Sequence, residues 1–166
     1  AGQVAEQINT KGIYSIVRHP LYLGNFLMWL GLIVYVSNVS FLIFAVFFFW
    51  IYYERIMFAE ESFIKSKFGE TFDKWSLNTP AFIPKLRGYE SSNVAFSFKN
   101  VLKREYHGFY AIIISFTLVH FLKQLFYFEN IRLDLPWLIL FLFGTAIYLI
   151  IRIIVKTTNW LHVDGR

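Results

Sequence analysis

Arg18, His19 and Pro20, followed by Leu21-Tyr22-Leu23-Gly24-Asn25, set a guanidinium, an imidazole and a phenol at the foot of an uncharged apolar run. A guanidinium can hold a carboxylate or phosphate through paired hydrogen bonds, and an imidazole can move a proton near neutral pH. About forty residues later Glu54, Arg55, Glu60 and Glu61 follow a second apolar run. If the two runs form a hairpin, their similar lengths return these acids to the side that holds Arg18 and His19. Returning carboxylates can offset a cationic ligand and accept hydrogen bonds from ribose or amine groups. Ionisable groups at membrane depth are costly, so the cluster is a functional candidate. A plainer reading stands beside it: Arg18 as an interfacial anchor, Tyr22 as a belt aromatic, and Glu60 and Glu61 as a solvated face. His19 alone is weak evidence for catalysis.

The elements that must position these groups are set by hydropathy. Of 166 residues, 57% are hydrophobic, and the aromatic load is 20 Phe, 10 Tyr and 5 Trp. With a mean hydropathy of +0.49 this exceeds an ordinary soluble domain and reads as an integral membrane protein. Leu21–Val36 carries no charge and gives about 24 Å of helix, slightly short for a bilayer core. Pro20 suits its first turn. Gly24 and Gly31 share a helix face that a neighbouring helix or ligand could approach closely. Ser37–Ser40 is a tight turn. Phe41–Tyr53 is the second run, and a helix could continue past Glu61. Gly69 reads as a helix stop, with Phe72 and Trp75 resting at the interface. Thr79–Pro84 is an extended, proline-stiffened stretch. Residues 88–93 read as loop and Val94–Glu105 as a surface helix. His107–Phe128 and Leu135–Val155 are the third and fourth runs.

The expected fold is thus all-α, with about four transmembrane helices in two hairpins and cytoplasmic amphipathic segments. Three segments follow: a motif-bearing core at 1–84 with its hairpin at about 21–59, a cytoplasmic surface linker and helix at 85–105, and a second hairpin and tail at 106–166. The net charge of +5 comes from basic residues lying mostly between apolar runs. That fits positive-inside loops facing anionic headgroups, with both termini and residues 54–105 in the cytoplasm, better than nucleic acid. The absence of Cys excludes disulfides and thiolate chemistry. The four His lack a paired ligand spacing, so no metal is expected. His120, Lys123 and Gln124 lie a turn apart and read as snorkelling and helix–helix hydrogen bonding, while His107 and His162 read as surface residues. Residues 1–12 form a polar arm without the apolar core of a signal peptide, and the Ala start suits a processed product or a fragment.

GIYSIVRHPLYLGNFLMWLGL, followed by EESFIKSKFGETFDKW and TPAFIP, resembles the isoprenylcysteine carboxyl methyltransferase family and the wider group containing phospholipid N-methyltransferases. The likeness spans residues 12 to 84; residues 85–166 carry no matching motif. It implies an S-adenosylmethionine-dependent methyltransferase embedded in the membrane, with further helices before the Arg-His-Pro segment, whereas this chain begins about seventeen residues upstream. Phe72 and Trp75 stand where tyrosines are frequent in the family. By motif position, His19, Tyr22, Leu23 and Gly24 would line the cofactor at the cytoplasmic mouth, with Glu60 and Glu61 closing the pocket. Arg18 would bind a carboxylate of cofactor or substrate, and Glu60 is the second candidate catalytic residue. The expected partners are the bilayer and a lipid or prenylated substrate. Carboxyl O-methylation leads; phospholipid N-methylation, an NADPH-dependent sterol-reductase-like activity and an inactive membrane scaffold are the alternatives.

Overall fold

The computed structural model describes residues 7–92, 95–129 and 131–161. The readings of residues 1–6, Asn93, Val94, Asn130 and 162–166, including His162, lie outside the described residues. Among those described the fold is helical, without strands. The chain divides into two compact units, Ala1–Ala95 and Phe96–Arg166.

In the first unit a short 3-10 turn, Gly12–Ser15, precedes α1, Pro20–Val36. Proline at the start of α1 gives up an N–H that would have no intrahelical partner. Ser37 ends the helix in the left-handed region at φ 62, with its N–H on Val34 O at 2.9 Å. The turn is shorter than Ser37–Ser40, because the Asn38 side chain accepts the Phe41 N–H at 2.8 Å and caps α2, Val39–Phe68. Helix α2 carries on past Glu61 for two more turns. It stops at Gly69, φ 49, where an L side chain is disfavoured. Helix α3, Glu70–Asn78, was not anticipated. Its nine residues turn Phe72 inward, correcting the interfacial placement, and its Trp75 Nε1 donates to Tyr14 O at 2.9 Å.

Backbone pairing then ties the proline-bounded stretch to the Arg-His-Pro segment. Arg18 N donates to Pro80 O (2.9 Å), His19 N to Ala81 O (3.1 Å) and Lys85 N to Ile16 O (2.9 Å). Farther out, Gly12 N reaches Glu90 O at 2.9 Å and Glu90 N reaches Ser15 Oγ at 3.0 Å. These bonds satisfy an otherwise helix-free backbone. Between the paired strips Val17 is fully buried, and Phe82 meets Phe26 and Trp50 edge-on, each at 5.6 Å.

The second unit is a hairpin of α4, Phe98–Phe128, and α5, Leu135–Thr157. The expected surface helix and third membrane run are one continuous 31-residue helix, capped by Ser97. Gly108 lies near their junction, at the start of the third run, and a lone glycine costs only about 1 kcal/mol in a helix. The close helix approach is not at Gly24, where nothing lies within 4 Å of an added Cβ, but at Gly144, whose Cβ would meet Ile113 Cδ1 at 2.6 Å. Nearby, the Tyr110 hydroxyl donates to Thr145 Oγ1 at 3.0 Å, since Thr145 spends its own proton on Phe141 O.

Helices α2, α4 and α5 are long and apolar enough to cross a membrane; α1, at 17 residues, is shorter. Their large side chains point outward, as with Phe44, Phe48, Leu142 and Phe143. So much exposed apolar surface suits lipid and not water. This is an all-α integral membrane fold.

Candidate functional site

His19 is 5% exposed and stands between the two acids of α2. Its Nε2 lies 2.8 Å from Glu61 Oε1 and its Nδ1 3.5 Å from Glu60 Oε2. Arg18 Nη1 pairs with Glu61 Oε2 at 3.2 Å. The Tyr22 hydroxyl donates to Glu60 Oε2 at 2.9 Å, and its ring stacks on the imidazole at 5.4 Å. Glu61 therefore spends one oxygen on the imidazole and the other on the guanidinium. Glu60 keeps a 46% exposed side chain.

Three local features bring these groups together. The pairing of residues 16–19 with 80–85 fixes Arg18 and His19 just before α1. Proline sets the helix to begin at once, so Tyr22 rises on its first turn toward Glu60. The unbroken α2 delivers Glu60 and Glu61 beyond the last apolar turn. Arg18 Nε is buried without a hydrogen-bond partner. An unsatisfied buried donor costs about 1–3 kcal/mol, which marks a place for an acceptor.

A cavity of about 450 Å³ opens beside this cluster. Arg18, His19, Glu60 and Glu61 form its polar side; Tyr14, Phe63, Ile64, Phe68, Phe72 and Trp75 form an aromatic and aliphatic wall, with Gln7, Ile8, Asn9 and Lys67 completing it. That volume falls in the range of small-molecule sites, and an apolar wall with a few convergent polar groups is their usual make-up.

Of the residues singled out in the sequence, the structure brings Arg18, His19, Glu60 and Glu61 onto the cavity. Tyr22 touches it through Glu60, while Leu23 and Gly24 lie outside its lining, as do Asn25, Glu54 and Arg55. The lining residues not foreseen include Ile64, Lys67 and Phe68. They lie four, seven and eight positions beyond Glu60, so helical periodicity alone puts them on its face. Phe72 and Trp75 repeat the same spacing on α3. The part played by residues 7–9 and Tyr14 has no such signal, because it depends on contacts across sixty residues. Elsewhere His120 Nε2 lies 2.9 Å from Asp134 Oδ2, and Gln124 Nε2 donates to the same oxygen at 3.0 Å. These are hairpin-closing bonds of the kind expected. No group of three or more possible metal ligands occurs among the described residues.

Residues 2–71 match the family model described as phospholipid methyltransferase. Over 76 residues the chain is 36% identical to a protein-S-isoprenylcysteine O-methyltransferase of Schizosaccharomyces pombe, covering 45% of this chain and 32% of that protein. It is 38% identical over 77 residues to protein-S-isoprenylcysteine O-methyltransferase B of Arabidopsis thaliana, covering 45% and 38%. A nickel-cobalt-cadmium resistance protein of Alcaligenes xylosoxydans xylosoxydans is 30% identical over 93 residues, covering 56% and 43%. The match thus spans less than half the length of each of these relatives. No solved structure matches the chain at comparable stringency. With the Arg-His-Pro segment and the acidic pair meeting as they do, these likenesses make the chain similar, over its first 71 residues above all, to membrane methyltransferases of the isoprenylcysteine and phospholipid type.

Proposed function

We propose that the protein methylates a lipid or lipid-linked acceptor with S-adenosylmethionine, and that the acceptor is a carboxylate of the isoprenylcysteine type. The observation that carries this reading is the convergence of a guanidinium, an imidazole and two carboxylates on one aromatic-walled cavity. The residues fit such a donor: Glu60 and Glu61 offer oxygens to a cation and to hydroxyl groups, His19 and Tyr22 hold those acids in place, and the wall takes a planar ring. Leu23 and Gly24 would extend the contact along α1. When bound, the donor supplies a methyl group on a sulfonium, which leaves as a neutral thioether.

The chain's own part is positioning. A carboxylate acceptor is already ionised and needs no base. Arg18 would grip it through Nε, the donor left unpaired, and so set its oxygen in line with the methyl group. The apolar side chains around the opening admit a hydrocarbon tail and exclude water. The cytoplasmic side is favoured for this mouth by the basic residues of 54–105. Glu60 supports a second acceptor: its half-exposed carboxylate can take a proton from a phospholipid amine.

Full-length protein in membranes, incubated with methyl-labelled S-adenosylmethionine and membrane lipids, tests this. Base-labile label in the lipid fraction, lost in Arg18→Ala, is expected. Base-stable label would move the reading to the amine. Binding of NADPH but not S-adenosylmethionine would overturn it, and so would normal function of Arg18→Ala in a scaffold role.

A further inference from the structure

The second unit carries a structured basic end that the methyltransfer reading does not use. Helices α4 and α5 run antiparallel, so the start of α4 and the end of α5 lie together, as the Lys99 Nζ above the Trp160 ring at 5.0 Å shows. That end holds Lys99, Lys103, Arg104, Arg152 and Lys156. Glu105 is the one carboxylate in residues 98–110 and 148–161.

Arg152 is held in position. Its Nη1 donates to the Tyr148 hydroxyl at 3.3 Å, and the guanidinium lies 5.9 Å from that ring. The Tyr148 hydroxyl also lies 3.3 Å from His107 Nδ1, and its ring stacks on Tyr110 at 4.3 Å and Tyr106 at 5.6 Å. No carboxylate is within ion-pair distance of Arg152 among the described residues. An ordered guanidinium without a counter-ion keeps donors for an external anion.

Depth selects the anion. From Asp134 to Arg152, α5 rises about 27 Å, close to the thickness of a hydrocarbon core. With the Asp134 end at one interface, Arg152 and its neighbours reach the headgroup layer of the other, where Trp and Tyr also concentrate. We propose that this end of the α4–α5 hairpin is a docking site for the phosphate of an anionic phospholipid headgroup, with Arg152 as its fixed contact and Lys99, Arg104 and Lys156 as its field.

The test uses the full chain in nanodiscs of equal phosphatidylglycerol and phosphatidylcholine, with retained lipids counted by native mass spectrometry after extraction. Phosphatidylglycerol should be enriched on the protein. Each basic charge removed near the surface should lower that enrichment about fivefold, first in Arg152→Gln and then in Arg152→Gln with Lys156→Gln. Tyr148→Phe keeps every charge but frees Arg152, and should lose about two- to threefold. Lys74→Gln, on an exposed lysine of the first unit, should change nothing. Equal retention of both lipids would overturn the proposal, as would a loss in Lys74→Gln matching that in Arg152→Gln. Displacement by millimolar inorganic phosphate would also overturn it, because the site would then read a free anion and not a membrane lipid. If Arg152→Gln elutes unfolded, the exposed pair Lys99→Gln and Lys156→Gln carries the same comparison.

Discussion

Each unit contains a histidine paired with a carboxylate, and the two settings differ. His19 and Glu61 come from segments forty-two positions apart, and their meeting needs the 80–85 stretch, the start of α1 and the overrun of α2. His120 and Asp134 are fourteen apart across one turn of a hairpin. Around His19 a guanidinium keeps a buried donor unsatisfied, and a cavity opens beside it. Around His120 one Asp134 oxygen takes both His120 and Gln124, and the imidazole stacks on Trp137 at 4.7 Å. Asp134 precedes α5 but makes no cap bond with its side chain. A proline in the first turn removes a donor there, and the carboxylate turns to the histidine instead. The same residue pair thus closes a hairpin in one place and borders a ligand-sized space in the other. The surroundings, and not the pair, mark a site.

Mutating the two pairs in parallel is the sharpest way to break this comparison. Glu61→Ala should leave His19 and Arg18 without their acceptor and lower methyl transfer at least about 100-fold, in the range of losing a preorganised electrostatic contact. Label incorporation per folded protein reads it. Asp134→Ala should leave that rate unchanged while lowering stability, so equal activity losses in both would erase the distinction. Next in size is Gly144→Val, which drives a side chain into Ile113. Overpacking costs about 1–3 kcal/mol, and a lower thermal midpoint in detergent with intact cofactor binding is expected. For Asp134→Ala itself, two lost hydrogen bonds should cost about 1–3 kcal/mol by the same thermal measurement. The smallest effect should come from Tyr22→Phe. It removes one bond to Glu60, worth about 1 kcal/mol, and should raise the KM for S-adenosylmethionine about fivefold with kcat little changed.

Much of the first unit could be read from residue types alone. Proline after Arg-His dictated where α1 begins, Gly69 where α2 ends, and the absence of breakers let α2 carry Glu60 and Glu61 clear of the apolar turns. The wall of the cavity was less legible. Trp75 is placed by a single bond to the Tyr14 carbonyl, and no periodicity records a contact of that kind. Helix α3 is short and polar on average, so Phe72 looked like an interfacial residue until the chain folded back over it. In the second unit hydropathy located both helices but misplaced one boundary. Lys99, Lys103, Arg104 and Glu105 are charged, so their segment reads as separate from the apolar run, although nothing in the backbone chemistry stops the helix between them. At Gly24 the glycine reading of α1 meets open space, whereas Gly144 drew no attention and brings Ile113 Cδ1 within 2.6 Å of an added Cβ.

The pairing of residues 80–85 with 16–19 also governs which insertions and deletions the chain can absorb. Pro80 to Lys85 is bonded at both ends of its length, and the segment presents Phe82 inward between α1 and α2. Removing one residue there would shift the hydrogen-bond partners of Arg18 and His19 and turn Phe82 to the opposite side. Leu86 to Tyr89 form an exposed bulge between two anchored points, and extra residues there would add only the small entropy of a longer loop. Length variation in this part of the protein should therefore collect in those four positions and spare the six before them.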